Sequence, residues 1–169
     1  MNVIKGLSKR EVEIIANLEF NKRYFFTSGE IDKFSKNKTQ RYNIIKNLIK
    51  KKRIIKLNKK KYYLVPIKAK SGSWAESSFA LIDEVCNGKD YFIGGWAAAN
   101  YWKLTEQIPM RFQVYTTKRQ GEAKILTTEI IFKRTTKKRL KKSVTEYIEG
   151  HPFRILNRKE SKKWIKSRS

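Results

Sequence analysis

Between Lys36 and Lys61 the chain sets amides and cations at helical spacing. Gln40, Asn43 and Asn47 recur every three or four residues, so in a helix they fall on one side. A carboxamide can bond adenine through N6 and N7 together, whereas lysine gives charge to phosphate and reads no sequence. Gln40, Asn43 and Asn47 are therefore candidate base contacts on duplex DNA. Lys46 and Lys50, interleaved with them, are candidate phosphate contacts. Lys36 and Lys38 upstream and Lys59, Lys60 and Lys61 downstream join the phosphate set. Arg41 lies near the apolar side of the same wheel, which suits a phosphate contact or a structural partner better than a base reader.

Other chemistries find weaker support in the residues. Asp90 followed by Glu122-Ala-Lys124 has the order of a metal-dependent nuclease, an acid and then E-x-K. The chain holds 12 Glu and 29 Lys, and its two E-x-K matches, at Glu122 and Glu160, are as many as chance supplies. Cys86 and His151 are far apart in sequence, and read as a buried thiol and a surface hairpin histidine. One Cys and one His leave no disulfide framework and argue against a zinc site. Gly94-Gly95 before a helix lacks the spacing of a phosphate-binding loop, so tight strand-to-helix packing is its expected use. Tyr62, Tyr63, Tyr91, Phe92 and Tyr115 fall on predicted strands where RNA bases could stack. No RNP1-like run accompanies them, and core packing is the expected use of most. The expectation is a binding protein with no catalytic residue, no metal and no cofactor; RNA binding and metal-dependent cleavage are the alternatives.

The elements that must position the amide face come in a recognisable order. Ser8-Lys-Arg-Glu11 is a capping box, and Val12, Ile15, Ala16 and Phe20 follow on one helical face. Thr27-Ser-Gly-Glu30 is a second box, with Ile31 and Phe34 on a short helix. Asn37 or Thr39 caps a third helix, about Thr39–Lys51, whose buried face is Tyr42, Ile45, Leu48 and Ile49. Ile54–Leu57 and Tyr62–Val65 read as two strands joined by a lysine-rich loop. Three helices and a hairpin make a winged helix-turn-helix over residues 1–67, with the third helix in the major groove and the hairpin loop as wing. Lys68-Ala-Lys-Ser-Gly-Ser73 is the linker candidate.

Residues 74–169 read as a small α+β domain with a mostly antiparallel sheet. Trp74–Val85 is a helix, Asp90–Ile93 a strand, Trp96–Leu104 a tightly packing helix, and Arg111–Thr116 and Thr127–Phe132 strands. Lys118–Lys124 is a loop or hairpin connection. Val144–Ile148 and Phe153–Leu156 form two strands around Gly150-His-Pro152, and Trp164 in the basic tail requires a docking partner.

The charge pattern agrees with a polyanionic partner. The chain carries 40 Lys+Arg against 15 Asp+Glu, a net +25. The excess is segmental: net +15 over residues 1–70, −1 over 71–132, and +11 over 133–169. Lys-rich coding would enrich the middle as well, and the middle is neutral. Seven of the ten residues Lys133–Lys142 are basic, which suits either a solubilising sheet edge or a second DNA-backbone contact. No run spans a bilayer and the first residues lack a secretory pattern, so the expected setting is the cytoplasm, with no membrane partner.

The segment Tyr91-Phe-Ile-Gly-Gly-Trp-Ala-Ala-Ala-Asn-Tyr-Trp-Lys-Leu-Thr-Glu-Gln-Ile-Pro109, followed by Phe112-Gln-Val-Tyr-Thr-Thr117, resembles the AbiEi antitoxin family of type IV toxin–antitoxin systems. That family shows a Y-I-G-x-x-x-A-A-x-x-x-x-L-T-x-Q-x-P run and then a strand ending in Thr, after an N-terminal winged helix. The resemblance covers about residues 1–135 and implies an autorepressing transcriptional regulator. The implied partner is a nucleotidyltransferase-like toxin, opposed without an obligatory complex. Two copies are expected on DNA, since one recognition helix reads few base pairs. Longer members continue into an extended helical region, where this chain has Gly150–Asn157 and a basic tail. DNA binding is thus implied more directly than toxin neutralisation.

Overall fold

In the computed structural model, which describes residues 6–66 and 77–168, the first capping box forms in full. The Glu11 carboxylate accepts from the Ser8 amide at 2.6 Å, and the Ser8 hydroxyl accepts from the Glu11 amide at 3.3 Å. Helix α1 (Lys9–Phe20) follows, but a different face turns inward from the one expected. Glu11, Ile14, Ile15 and Leu18 are buried, while Phe20 is 88% exposed and Ala16 is exposed. The apolar residues of α1 offer two overlapping stripes. The inward one brings Glu11 within 2.7 Å of Lys51 Nζ at the end of the next long helix.

After α1 comes strand β1 (Phe25–Thr27), which is too short to leave a sequence pattern and was not expected. The second capping box, Thr27 with Glu30, opens Ser28–Phe34, which is a 3-10 helix rather than an α-helix. Helix α2 (Lys38–Lys50) is capped by Asn37, whose Oδ1 accepts from the Gln40 amide at 2.8 Å. Strands β2 (Ile54–Lys56) and β3 (Lys61–Leu64) form a hairpin, and β1 pairs with the far edge of β3. All pairs of this three-stranded sheet are antiparallel. Its core joins Ile14, Ile15 and Leu18 to Phe26, Ile31, Ile44, Ile45, Leu48, Ile54 and Leu64.

This is the first of two compact units, Met1–Ala75 and Glu76–Ser169. The two sheets are separate. The expected linker Lys68–Ser73, and Trp74 of the expected next helix, lie outside the described residues.

The second unit contains α3 (Ser78–Val85), β4 (Tyr91–Gly94), α4 (Gly95–Tyr101), β5 (Phe112–Thr116), β6 (Gly121–Ile125), β7 (Thr128–Arg134), α5 (Lys137–Leu140), β8 (Ser143–Ile148), β9 (His151–Leu156) and α6 (Arg158–Lys166). Gly121–Lys124, expected in a connection, belongs to edge strand β6, paired antiparallel with β7. The sheet order is β6-β7-β5-β4-β9-β8. Its pairs are antiparallel except β5 with β7 and β4 with β9, so the fold is α+β with mostly antiparallel sheets. Phe79 of α3 packs its ring against Phe112 and Phe153 of the sheet and Tyr101 of α4. The tail docks as helix α6: Trp164 meets Trp96 edge to face at 5.2 Å, and Lys142 Nζ holds Glu160 at 2.8 Å.

Gly94-Gly95 is a packing device. A Cβ on Gly94 would sit 2.7 Å from the Tyr115 ring, and Gly95 adopts φ +61 with Gln113 at 2.7 Å from its own missing Cβ. These glycines let β4 turn straight into α4 against the sheet, so no phosphate cradle is needed to explain them.

Candidate nucleic-acid interface

Helix α2 is buried along Ile44, Ile45 and Leu48 alone. Tyr42 and Ile49, expected in the core, are 64% and 38% exposed. Ile44 joins the core instead, so α2 is turned about its axis relative to the sequence expectation. At about 100° per residue, the outward face then centres on Thr39, Asn43, Lys46 and Lys50. Asn47 and Gln40 move to one flank, and Tyr42 and Ile49 form the other. Tyr42 stands exposed beside the candidate residues, a position that sequence reasoning missed because an aromatic at helical spacing is usually core.

The candidate residues differ in how free they are. Asn43, Lys46, Asn47 and Lys50 are exposed. Gln40 is partly engaged: its Oε1 accepts from the Lys36 amide at 2.7 Å, completing the start of α2 and leaving Nε2 as the half suited to a base edge. Arg41 donates to Asp32 of the 3-10 helix in an ion pair that leaves its side chain 23% exposed. The pair links α2 to the preceding 3-10 helix, which suits the structural half of the expectation for Arg41.

The hairpin loop is shaped by Asn58, whose Oδ1 accepts from the amides of Lys60 and Lys61 at 2.9 and 3.0 Å. This turn leaves Lys59 and Lys60 exposed. Lys61 is half-buried in β3, opposite Thr27. Acidic partners are scarce. Glu11 is held by Lys51, Glu30 by Arg23 and Asp32 by Arg41. Among the described residues Lys36, Lys38, Lys46, Lys50, Lys59 and Lys60 form no ion pair. Arg53 is turned inward, donating to the Val65 carbonyl at 2.7 Å, and is no phosphate ligand.

In the second unit, cations gather where β5 and β7 end. Arg119 lies 3.7 Å over the Phe132 ring, and Lys133 and Arg139 flank the Tyr115 ring at 5.9 and 5.5 Å. Arg134 donates to the Thr117 carbonyl, and Lys137, Lys138 and Lys141 are exposed. Of the neighbouring cations Lys118 is paired, with Asp90 at 3.1 Å.

The nuclease constellation does not assemble. Asp90 precedes β4 and Glu122 and Lys124 lie on β6, three strand spacings or about 14 Å apart across the sheet. Glu122 faces Arg111 at 3.8 Å instead. The proposed stacking aromatics are mostly inside: Tyr63, Tyr91, Phe92 and Tyr115 are buried, and Tyr62 stacks on Phe26.

A polar cluster that sequence spacing could not disclose joins α3 to the sheet. The Tyr91 hydroxyl donates to Asp83 Oδ1 at 2.7 Å and accepts from the Arg154 amide at 2.9 Å. Burial and the adjacent Asp83 carboxylate push the Tyr91 phenol far up, so it stays a donor. His151 is not on the hairpin surface as expected; it is half-buried, with Nε2 2.9 Å from Glu84 Oε1 and Nδ1 2.8 Å from the Pro152 carbonyl. Asp83, Glu84 and His151 offer ligand atoms within 4.8 Å of one another, a set of the kind that can hold a metal ion. Their mutual bonding accounts for the arrangement as a tether between α3, β4 and β9. Burial pushes the neighbouring Cys86 thiol up to about 12, which makes it a poor nucleophile.

Among the described residues no helix is long and apolar enough to cross a membrane. Comparison with protein-family models and with curated proteins finds no match to this chain.

Proposed function

We propose that the chain is a sequence-specific duplex DNA-binding regulator, with the first unit acting as a winged helix-turn-helix. Helix α2 lies in the major groove and the Asn58–Lys61 loop serves as wing. The observation that carries this reading is the outward face of α2: amides and lysines without acidic partners, on a helix buried only along Ile44, Ile45 and Leu48. Asn43 reads a base, with Asn47 and the free half of Gln40 at the flank. Lys36, Lys38, Lys46, Lys50, Lys59 and Lys60 hold phosphates. The exposed lysines of α5 add a second, sequence-independent hold on the backbone. The order of elements and the Tyr91–Thr117 segment support an AbiEi-like role, repressing its own operon beside a nucleotidyltransferase-like toxin gene. Two copies then sit on repeated half-sites.

An electrophoretic shift series tests the biochemical class. The full chain is titrated with duplex DNA from the region upstream of its own gene, a scrambled duplex, a hairpin RNA, and the same duplex with Mg²⁺. The expected result is tighter binding to the upstream duplex than to the scrambled one, with no cleavage. Preference for the hairpin, or metal-dependent loss of the duplex, overturns the reading.

A further inference from the structure

Tyr42 is 64% exposed, and among the described residues it has no hydrogen-bond or ring partner. A single exposed aromatic is ordinary on a protein surface. Its setting here is not, because it stands on the second turn of α2 beside Asn43 and Lys46. Ile49, two helical turns on and 38% exposed, marks the same flank as outward-facing. Apolar area is thus set directly against unpaired positive charge. A hydrophobic protein partner would strand those lysines in its interface unless it brought acids to them. The major groove of DNA answers both needs at once, because thymine presents a C5-methyl group there while phosphates line the rim.

Resting on the reading above, we infer that Tyr42 packs against thymine methyl groups, so that α2 selects A·T pairs through two contacts, Asn43 on adenine and the Tyr42 ring on thymine. Position favours Tyr42 over Ile49 for this role, since recognition helices touch base edges with their N-terminal residues. The ring carries the contact and the hydroxyl is dispensable.

The test starts from a random duplex library enriched by binding to the full chain. In the enriched duplex each thymidine is replaced in turn by deoxyuridine, which removes only the methyl group. At one or two positions the replacement weakens binding about fourfold, the worth of one buried methyl. Tyr42→Ala binds the enriched duplex about tenfold more weakly and binds its thymidine and deoxyuridine forms equally. Tyr42→Phe keeps both the affinity and the methyl discrimination. The melting temperature of both variants stays at the wild-type value, because the residue is exposed. If a motif is enriched but no deoxyuridine position weakens binding, or Tyr42→Ala retains the discrimination, the thymine contact is wrong and sequence-specific binding stands. If no motif is enriched, the DNA-reading role fails and the contact with it.

Discussion

The Glu11–Lys51 pair ties the start of α1 to the end of α2, and its removal measures what holds α2 in place. Glu11 Oε2 lies 2.7 Å from Lys51 Nζ, and the Glu11 side chain is 5% exposed against 36% for Lys51. The same carboxylate oxygen takes the Ser8 amide at 2.6 Å. A hydrogen bond to a charged group contributes about 1.5–3 kcal/mol, and a cap about 1 kcal/mol. Water reaches Lys51 and the Ser8 amide once the carboxylate is gone, so Glu11→Ala should cost about 2 kcal/mol. Glu11→Gln keeps an acceptor for the cap and should cost about 1 kcal/mol. Burial alone would raise the Glu11 pKa, but the bonds from Lys51 and Ser8 outweigh it and hold the group below its usual range. A depressed carboxylate stabilises the fold above its unfolded pKa of about 4.3, and the gain disappears as pH falls through the folded value. Hydrogen exchange read peptide by peptide at neutral pH should show residues 9–20 and 38–50 exchanging about 30-fold faster in Glu11→Ala, with 112–134 of the second unit unchanged. Helix melts should find the gap between wild type and variant closing below pH 4. Equal acceleration in both units, or a gap that does not narrow as acid protonates the carboxylate, would refute the ion-pair argument.

The second unit yields two further tests. Gly94→Ala should lower its stability by about 1–3 kcal/mol, seen as a lower melting temperature, because the added methyl meets the Tyr115 ring at 2.7 Å. Cys86, with its thiol pushed up to about 12 by burial, should resist iodoacetamide at pH 8 in the native state and react on unfolding. Fast native labelling would show that the thiol is not held out of solvent.

Much of the first unit was legible because its signals are local. Ser8-x-x-Glu11 and Thr27-x-x-Glu30 are four-residue patterns that form as hydrogen bonds within one turn. The rotation of α1 and α2 was not legible, since each carries more apolar residues than it buries. Phe20, Tyr42 and Ile49 fit a helical stripe as well as Ile14 and Ile44 do, and only the tertiary partners choose between them. The same ambiguity hid Tyr42 from the candidate interface and moved Asn47 and Gln40 to its flank. In the second unit β6 was read as a connection because Gly121 stands at its start and its one bulky apolar side chain is Ile125, although residues 122–125 alternate exposed and half-buried. The β4–β9 pairing and the His151–Glu84 contact join residues distant in the chain, and no periodicity carries such information.

The most direct test of the central claim separates reading from holding. Binding of the full chain to the enriched duplex and to a scrambled duplex of equal composition is measured over a salt series, for wild type, Asn43→Ala and Lys60→Ala. Asn43→Ala should lose about 1–3 kcal/mol on the enriched duplex and change little on the scrambled one. Lys60→Ala should weaken both alike and make the slope of log K against log salt shallower by about 1. If the two variants behave identically on both duplexes, the outward face of α2 does not read sequence.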